Sequence, residues 1–145
     1  ALNLLAEDPV RRENWILTPH PGEAARLLGM TVAEVEANRF AAACALQASF
    51  GGVIVLKGSG TIIVDAAGRI SICTAGNPGM ASGGMGDVLT GLIAGLLCQR
   101  LQAADAARIA VFVHATAADL LATSEGERGL LATDLIPVIR KLLNP

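Results

Sequence analysis

The sequence predicts an α/β fold, and three observations carry that expectation. Short β-branched runs alternate with longer segments of helical periodicity. The run Val53-Ile54-Val55-Leu56 is apolar at every position, as in a central strand of a parallel sheet. A glycine-dense stretch from Gly76 to Gly86 runs directly into the apolar segment Val88 to Leu97, a loop that opens a helix. Hydrophobic residues make up 52% of the 145 and charged residues 17%, which excludes disorder and supplies a core. A globule of this length buries about 68–70% of the surface its unfolded chain exposes, so one domain is expected over residues 1–145.

Taken in order, Ala1 to Ala6 reads as the last turns of a helix stopped by Pro9. A start in mid-helix suggests further residues upstream. Trp15 to Thr18 suits a short buried strand, and the prolines of Thr18-Pro19-His20-Pro21-Gly22 force a loop after it. Glu23 to Leu28 is a short helix closed by Gly29. Thr31 begins a longer one, with Glu34 completing a capping box. Its apolar positions Val32, Val35, Phe40, Ala43, Cys44 and Leu46 keep approximate helical spacing until Gly51-Gly52. Thr61 to Val64 and Arg69 to Cys73, separated by Asp65-Ala66-Ala67-Gly68, read as a hairpin. Helices then follow over about Asp87 to Gln99 and Ala103 to Ala122, with a third from Thr133-Asp134 capped by Thr133.

A net charge of −2 argues against nucleic acid as a partner, and 3% aromatic residues with no Tyr leave few platforms for stacked bases. Cys44, Cys73 and Cys98 have no Cys-x-x-Cys spacing and read as small core hydrophobes in a reducing compartment. No charged n-region precedes an apolar core at the start of the chain. The longest apolar run, Val88 to Cys98, falls short of the roughly 20 residues a bilayer span needs. A cytoplasmic protein without a membrane partner is expected.

The chemistry concentrates in the stretch Asn77-Pro78-Gly79-Met80-Ala81-Ser82-Gly83-Gly84-Met85-Gly86-Asp87. A glycine loop opening a helix gathers unpaired amide N–H groups and the positive end of the helix dipole, which makes an anion cradle. A carboxylate at the mouth of such a cradle repels phosphate. Asp87 is tolerable there if it serves as a base toward a hydroxyl approaching that phosphate. No Walker lysine follows and no Gly-x-Gly-x-x-Gly spacing is present. The plainer alternative is a flexible connection, or close helix packing through Gly91 and Gly95.

A second glycine loop, Lys57-Gly58-Ser59-Gly60-Thr61, follows the best strand, at the edge where open α/β sheets hold ligands. Lys57 can supply positive charge there, and Gly58 and Gly60 allow backbone to approach phosphate or ribose. The alternative is a hairpin entry with an exposed lysine. His20, between two prolines, is a rigid and exposed histidine with either a structural or a substrate-binding role. His114 reads as a packed helix residue, and the two histidines lack metal-ligand spacing. Asp119, Glu125, Glu127, Arg128 and Asp134 are indistinguishable from a solvated surface. Any Mg²⁺ is expected to arrive on nucleotide phosphates, with no metal ligands from the chain.

Thr18-Pro19-His20-Pro21-Gly22-Glu23, Lys57-Gly58-Ser59-Gly60-Thr61 and Gly76 through Gly91, in that order, closely resemble the ADP-dependent NAD(P)H-hydrate dehydratases. These belong to the ribokinase-like superfamily, so the resemblance implies a three-layer sandwich, here a truncated, mostly parallel sheet flanked by helices plus one hairpin. It covers essentially the whole chain and matches the C-terminal half of the family's domain. The implied activity is repair of hydrated NADH or NADPH of S configuration. A nucleoside di- or triphosphate, ADP (or ATP), phosphorylates the ring hydroxyl, and the phosphate then leaves. By the same resemblance His20 and Asp87 contact the hydrate, with Asp87 as the base. Lys57, Gly58, Ser59, Gly60, Thr61 and the loop Asn77 to Gly86 hold the nucleotide. A homo-oligomer is implied too. With the other half of the pocket outside this chain, little or no turnover is expected from these residues alone.

Two competing functions keep the same residues. A ribokinase-like kinase of a vitamin precursor would use the same cradle and base, because fold and site chemistry do not fix the substrate. A non-catalytic nucleotide-binding module would do better without the repulsion from Asp87.

Overall fold

The computed structural model describes residues 1–144. The chain forms two compact units, Ala1–Ile72 and Cys73 onward. In the first, four helices, α1 (Leu2–Glu7), α2 (Pro21–Leu28), α3 (Val32–Ala37) and α4 (Arg39–Phe50), accompany four strands. The strands β1 (Ile16–Leu17), β2 (Val53–Leu56), β3 (Thr61–Val64) and β4 (Ile70–Cys73) form one sheet in that order. β2 runs parallel to β1 (Ile16 opposite Val53) and antiparallel to β3 (Ile54 opposite Val64, Leu56 opposite Ile62). The expected central strand is therefore present, in a mixed sheet, and all four of its side chains are buried. Helix α4 lays Ala42, Ala43, Leu46 and Phe50 into a cluster with Ile54, Leu56, Ile62 and Val64. Each such large apolar side chain stabilises by about 1.5–3 kcal/mol on burial.

In α2 and in the segment after Thr31 the helix boundaries depart from the sequence reading. α2 begins at Pro21, two residues before Glu23, because a proline at the first helical position gives up an N–H that has no acceptor anyway. Gly29, in the left-handed conformation, closes it as expected. The single helix expected after Thr31 is two. Thr31 and Glu34 do form their capping box, but the chain breaks at Asn38, whose Oδ1 accepts from Ala41 N–H at 3.0 Å and starts α4. The break rotates the pattern, so Val35, Ala43 and Leu46 are buried whereas Val32 and Phe40 stand in solvent. The cysteines also differ from expectation. Cys44 on the outer side of α4 and Cys98 are exposed, and Cys73 is half-buried, so none is a core residue.

The second unit holds α5 (Met85–Cys98), α6 (Ala103–Glu125) and α7 (Leu135–Leu142), with 3-10 turns at Pro78–Met80 and Ala132–Asp134. α5 starts two residues earlier than expected, at a left-handed Gly84 (φ +87°). α6 continues past Ala122 to Glu125 and stops at Gly126. Thr133 caps no helix. Leu131 N–H instead donates to Asp134 Oδ2 at 2.9 Å, closing a 3-10 turn before α7. The core combines Met85 of α5 and Ala117, Ala118 and Leu121 of α6 with Leu135 and Ile139 of α7. Gly91 and Gly95 are exposed, with nothing within 4 Å of where a Cβ would sit, so neither serves close helix packing. α6 has the length and apolarity of a membrane span, but 56% of its apolar window is buried inside the chain, as in the core helix of a folded domain.

Candidate active site

In the second unit the site is a loop pinned at one end and open at the other. Asp119, on α6, accepts from Gly76 N–H and from Asn77 Nδ2, both at 2.8 Å. Asn77 Oδ1 in turn accepts from Gly79 N–H at 3.0 Å. Gly79 has no room for a side chain, since a Cβ would lie 2.5 Å from the Glu127 carbonyl oxygen. Pro78 opens the 3-10 turn that Asn77 caps, and Met80 packs against the unit's core. Asp119 therefore belongs to the site. Sequence reading assigned it to the solvated surface because nothing near it along the helix signals a loop 43 residues away.

Beyond the pinned end, Ala81, Gly83 and Gly84 are exposed, and Ser82 Oγ is buried with no hydrogen-bond partner. Gly84 places no side-chain cap on α5, and its carbonyl accepts from Asp87 and Val88 N–H at 3.0 and 3.1 Å. The N–H groups of Met85 and Gly86 meet no acceptor among the described residues. They are helix-terminal donors at the positive end of the dipole, the physical requirement for gripping an anion. The Met85 side chain is buried, so only its backbone is offered. Asp87 is exposed in the first turn and makes no ion pair among the described residues. Beneath this turn, His114 is buried and shares a backbone hydrogen bond with Met85, and its Nε2 has no partner. Burial pushes its pKa below the ordinary value, and the Met85 bond opposes that shift.

In the first unit, two sequence motifs meet at one edge of the sheet. β1 and β2 are parallel, so the segments that follow them, His20 with Glu23 and Lys57 onward, leave from the same end. Lys57 N–H donates to the Pro19 carbonyl at 2.9 Å. His20 caps α2 through Nδ1, which accepts from Gly22 and Glu23 N–H at 3.0 and 3.2 Å. Its exposed Nε2 is 3.6 Å from Glu23 Oε2, and the same oxygen lies 3.9 Å from Lys57 Nζ. Glu23 thus stands between the His20 imidazole and the Lys57 ammonium, a role the sequence reading gave no one. Gly58 and Gly60 adopt φ of +145° and +68°, Ser59 is exposed, and Thr61 Oγ1 donates to the Gly58 carbonyl at 3.2 Å. Arg39, from the start of α4, reaches the carbonyls of Leu56, Lys57 and Ser59. No three histidine, cysteine or carboxylate side chains converge among the described residues.

Comparison with known proteins agrees with these motifs. The bifunctional NAD(P)H-hydrate repair enzyme of Coxiella burnetii is 59% identical over the whole of this chain, which spans 30% of that protein. The ADP-dependent (S)-NAD(P)H-hydrate dehydratase of Neisseria meningitidis is 44% identical over 99% of this chain and 51% of its own length. Among solved structures, the ADP/ATP-dependent NAD(P)H-hydrate dehydratase of Bacillus subtilis, co-crystallised with ATP and Mg²⁺, superimposes with a TM-score of 0.86 at 37% identity. That superposition covers 93% of this chain and 49% of the Bacillus one. The chain thus spans about half or less of the length of these proteins, on a fold of ribokinase-like type. With the family model for NAD(P)H-hydrate dehydratase matching residues 1–141, the chain belongs to the NAD(P)H-hydrate dehydratase family.

Proposed function

We propose that residues 1–145 are the C-terminal portion of one dehydratase domain that restores NAD(P)H from its S hydrate at the expense of ADP. The observation that carries this is the start of α5, where two unsatisfied amide N–H groups stand beside an exposed, unpaired Asp87. A pure anion site gains nothing from a carboxylate there, whereas phosphoryl transfer to an alcohol needs a proton acceptor at that position.

In this reading the Met85 and Gly86 amides hold the terminal phosphoryl group of the nucleotide, with the Asn77–Gly86 loop around it. Asp87 takes the proton of the ring hydroxyl as its oxygen attacks phosphorus, and the bond to the leaving AMP breaks. The C–O bond of the phosphorylated hydrate then breaks, phosphate departs with the electron pair, and a proton leaves the neighbouring ring carbon. Phosphorylation matters because hydroxide is a poor leaving group and phosphate a far better one. His20 is a hydrate contact through Nε2, since Nδ1 is committed to capping α2. Lys57 to Thr61 contribute nucleotide contacts. Mg²⁺ suits this donor set only as a companion of the nucleotide, where it supplies charge neutralisation on the phosphates. The carboxylate nearest the cradle, Asp87, is engaged as the base. We place the activity in the cytoplasm, as a homo-oligomer without nucleic-acid or membrane partners. The exposed Phe112 and Leu120 of α6 support self-association.

The test is the full-length protein with hydrated NADH and ADP. We expect dihydronicotinamide absorbance to recover with one AMP and one phosphate released per turnover. Asp87→Asn should keep nucleotide affinity and lower turnover by about 10²–10⁴-fold, the scale for losing a general base. A phosphorylated product that accumulates without phosphate release would instead establish a small-molecule kinase. Unchanged turnover in Asp87→Asn would place the base elsewhere.

A further inference from the structure

The geometry points to Arg39 as the positioning residue that turns the Lys57–Thr61 loop into a donor surface. Its guanidinium collects the loop's carbonyls on one side, so that the Gly58 and Gly60 amides face the other way, toward an oxygen of the nucleotide. This rests on the nucleotide-binding reading of that loop and extends it to a residue outside the motif.

Arg39 Nη1 donates to the Ser59 carbonyl, and Nη2 donates to those of Leu56 and Lys57 at 3.4 and 3.2 Å. The side chain is only 15% exposed, and Glu36 Oε2 stands 3.9 Å from Nε. A largely buried guanidinium is retained at a cost in desolvation unless its donors are used; here Nη1 and Nη2 are used by three carbonyls, while buried Nε has no hydrogen-bond partner among the described residues. The fourth carbonyl of the segment, that of Gly58, accepts from Thr61 Oγ1.

A trans peptide directs its C=O and its N–H to opposite sides. Holding the Lys57 carbonyl therefore aims Gly58 N–H away from Arg39, and holding the Ser59 carbonyl does the same for Gly60 N–H. Neither N–H, nor that of Ser59, has an acceptor among the described residues. The Lys57, Gly58 and Ser59 carbonyls are thus satisfied by Arg39 and Thr61, and the Gly58, Ser59 and Gly60 N–H groups are left over, beside a fixed positive charge. The positive φ values of Gly58 and Gly60 are what that arrangement demands of the backbone. Gly58 has a second constraint, since a Cβ there would lie 2.6 Å from Arg39 Nη2.

The experiment uses steady-state kinetics of the full-length protein, with ADP and hydrate varied separately and the thermal midpoint measured alongside. Arg39→Met should raise KM for ADP by about tenfold, the scale of losing charge-assisted bonds that order the loop, with kcat and the hydrate KM within about twofold of wild type. Arg39→Lys keeps the charge but not the planar fork, and should recover about half of that loss on a logarithmic scale. Gly58→Ala displaces the guanidinium without removing it and should reproduce the rise in KM, which keeps the test open if Arg39→Met does not fold. Equal fold-losses for ADP and adenosine binding assign the recognised oxygen to the ribose, and a loss confined to ADP assigns it to phosphate. An ADP KM unchanged in folded Arg39→Lys and Gly58→Ala, while Lys57→Ala raises it, overturns the role of Arg39 and leaves the nucleotide loop standing. Proportional losses in kcat and both KM values would likewise mark Arg39 as a general structural residue. Failure of the wild-type protein to bind ADP at all would overturn the functional reading and this one together.

Discussion

Removing the Asp119 carboxylate should loosen the pinned end of the second-unit loop, and the structure sets the size of the effect. Asp119→Ala deletes two hydrogen bonds of 2.8 Å, from Gly76 N–H and Asn77 Nδ2, and leaves the Asn77 side chain held through Gly79 N–H at 3.0 Å. The bond from half-buried Asn77 contributes about 1.5 kcal/mol, the lower end for a charged acceptor, and that from exposed Gly76, which regains water, about 0.5 kcal/mol. The expected loss is about 2 kcal/mol. For a chain of this size that lowers the thermal midpoint by roughly 4–8 °C. Asp119→Asn keeps one acceptor oxygen and should lose about half as much. Urea unfolding of both variants, with Asn77→Ala and the double mutant, completes a cycle whose coupling should be about 1 kcal/mol. If Asp119→Ala unfolds within about 0.5 kcal/mol of wild type with no coupling to Asn77, the pinning argument is wrong.

Other consequences are testable in the same preparations. Leu46→Ala, which empties a fully buried site between α4 and the sheet, should cost about 2–5 kcal/mol in the same urea experiment. Burial holds His114 below its ordinary value of 6.5, against a Met85 backbone bond that raises it. The unfolded chain therefore takes up this proton first as pH falls. Stability is full above about 6.5 and declines as pH drops from there through the folded-state value. Thermal midpoints over a pH series should show that decline in wild type and a flatter acid limb in His114→Gln. An identical limb in both proteins would assign the titration to another group.

Features that a few adjacent residues determine were legible from sequence. The Asp65–Gly68 turn, the Thr31/Glu34 capping box and the stop at Gly29 depend on local chemistry, and each occurs in the fold. Asp87 in the first turn of a helix opened by glycines was legible in the same way. The break at Asn38 was hidden because apolar spacing continues across it, while the deciding event is one side chain competing for the Ala41 amide. Asp119 and Arg39 were hidden for a different reason. Their partners lie 42–43 and 17–20 residues away, and only the tertiary fold selects which carboxylate or guanidinium reaches a loop. Glu23 sat inside a recognised motif, yet the geometry was needed to place it between His20 and Lys57.

The exposed thiols have an experimental consequence. Cys44 belongs to the first compact unit and Cys98 to the second, and each is open to alkylating reagents in the folded chain. With half-buried Cys73 replaced by serine, a fluorophore on one cysteine at a time gives each unit its own reporter, so melting of either can be recorded separately without introducing a foreign attachment point. The same accessibility makes intermolecular disulfides the foreseeable artefact of storage in air, and a reductant belongs in every buffer.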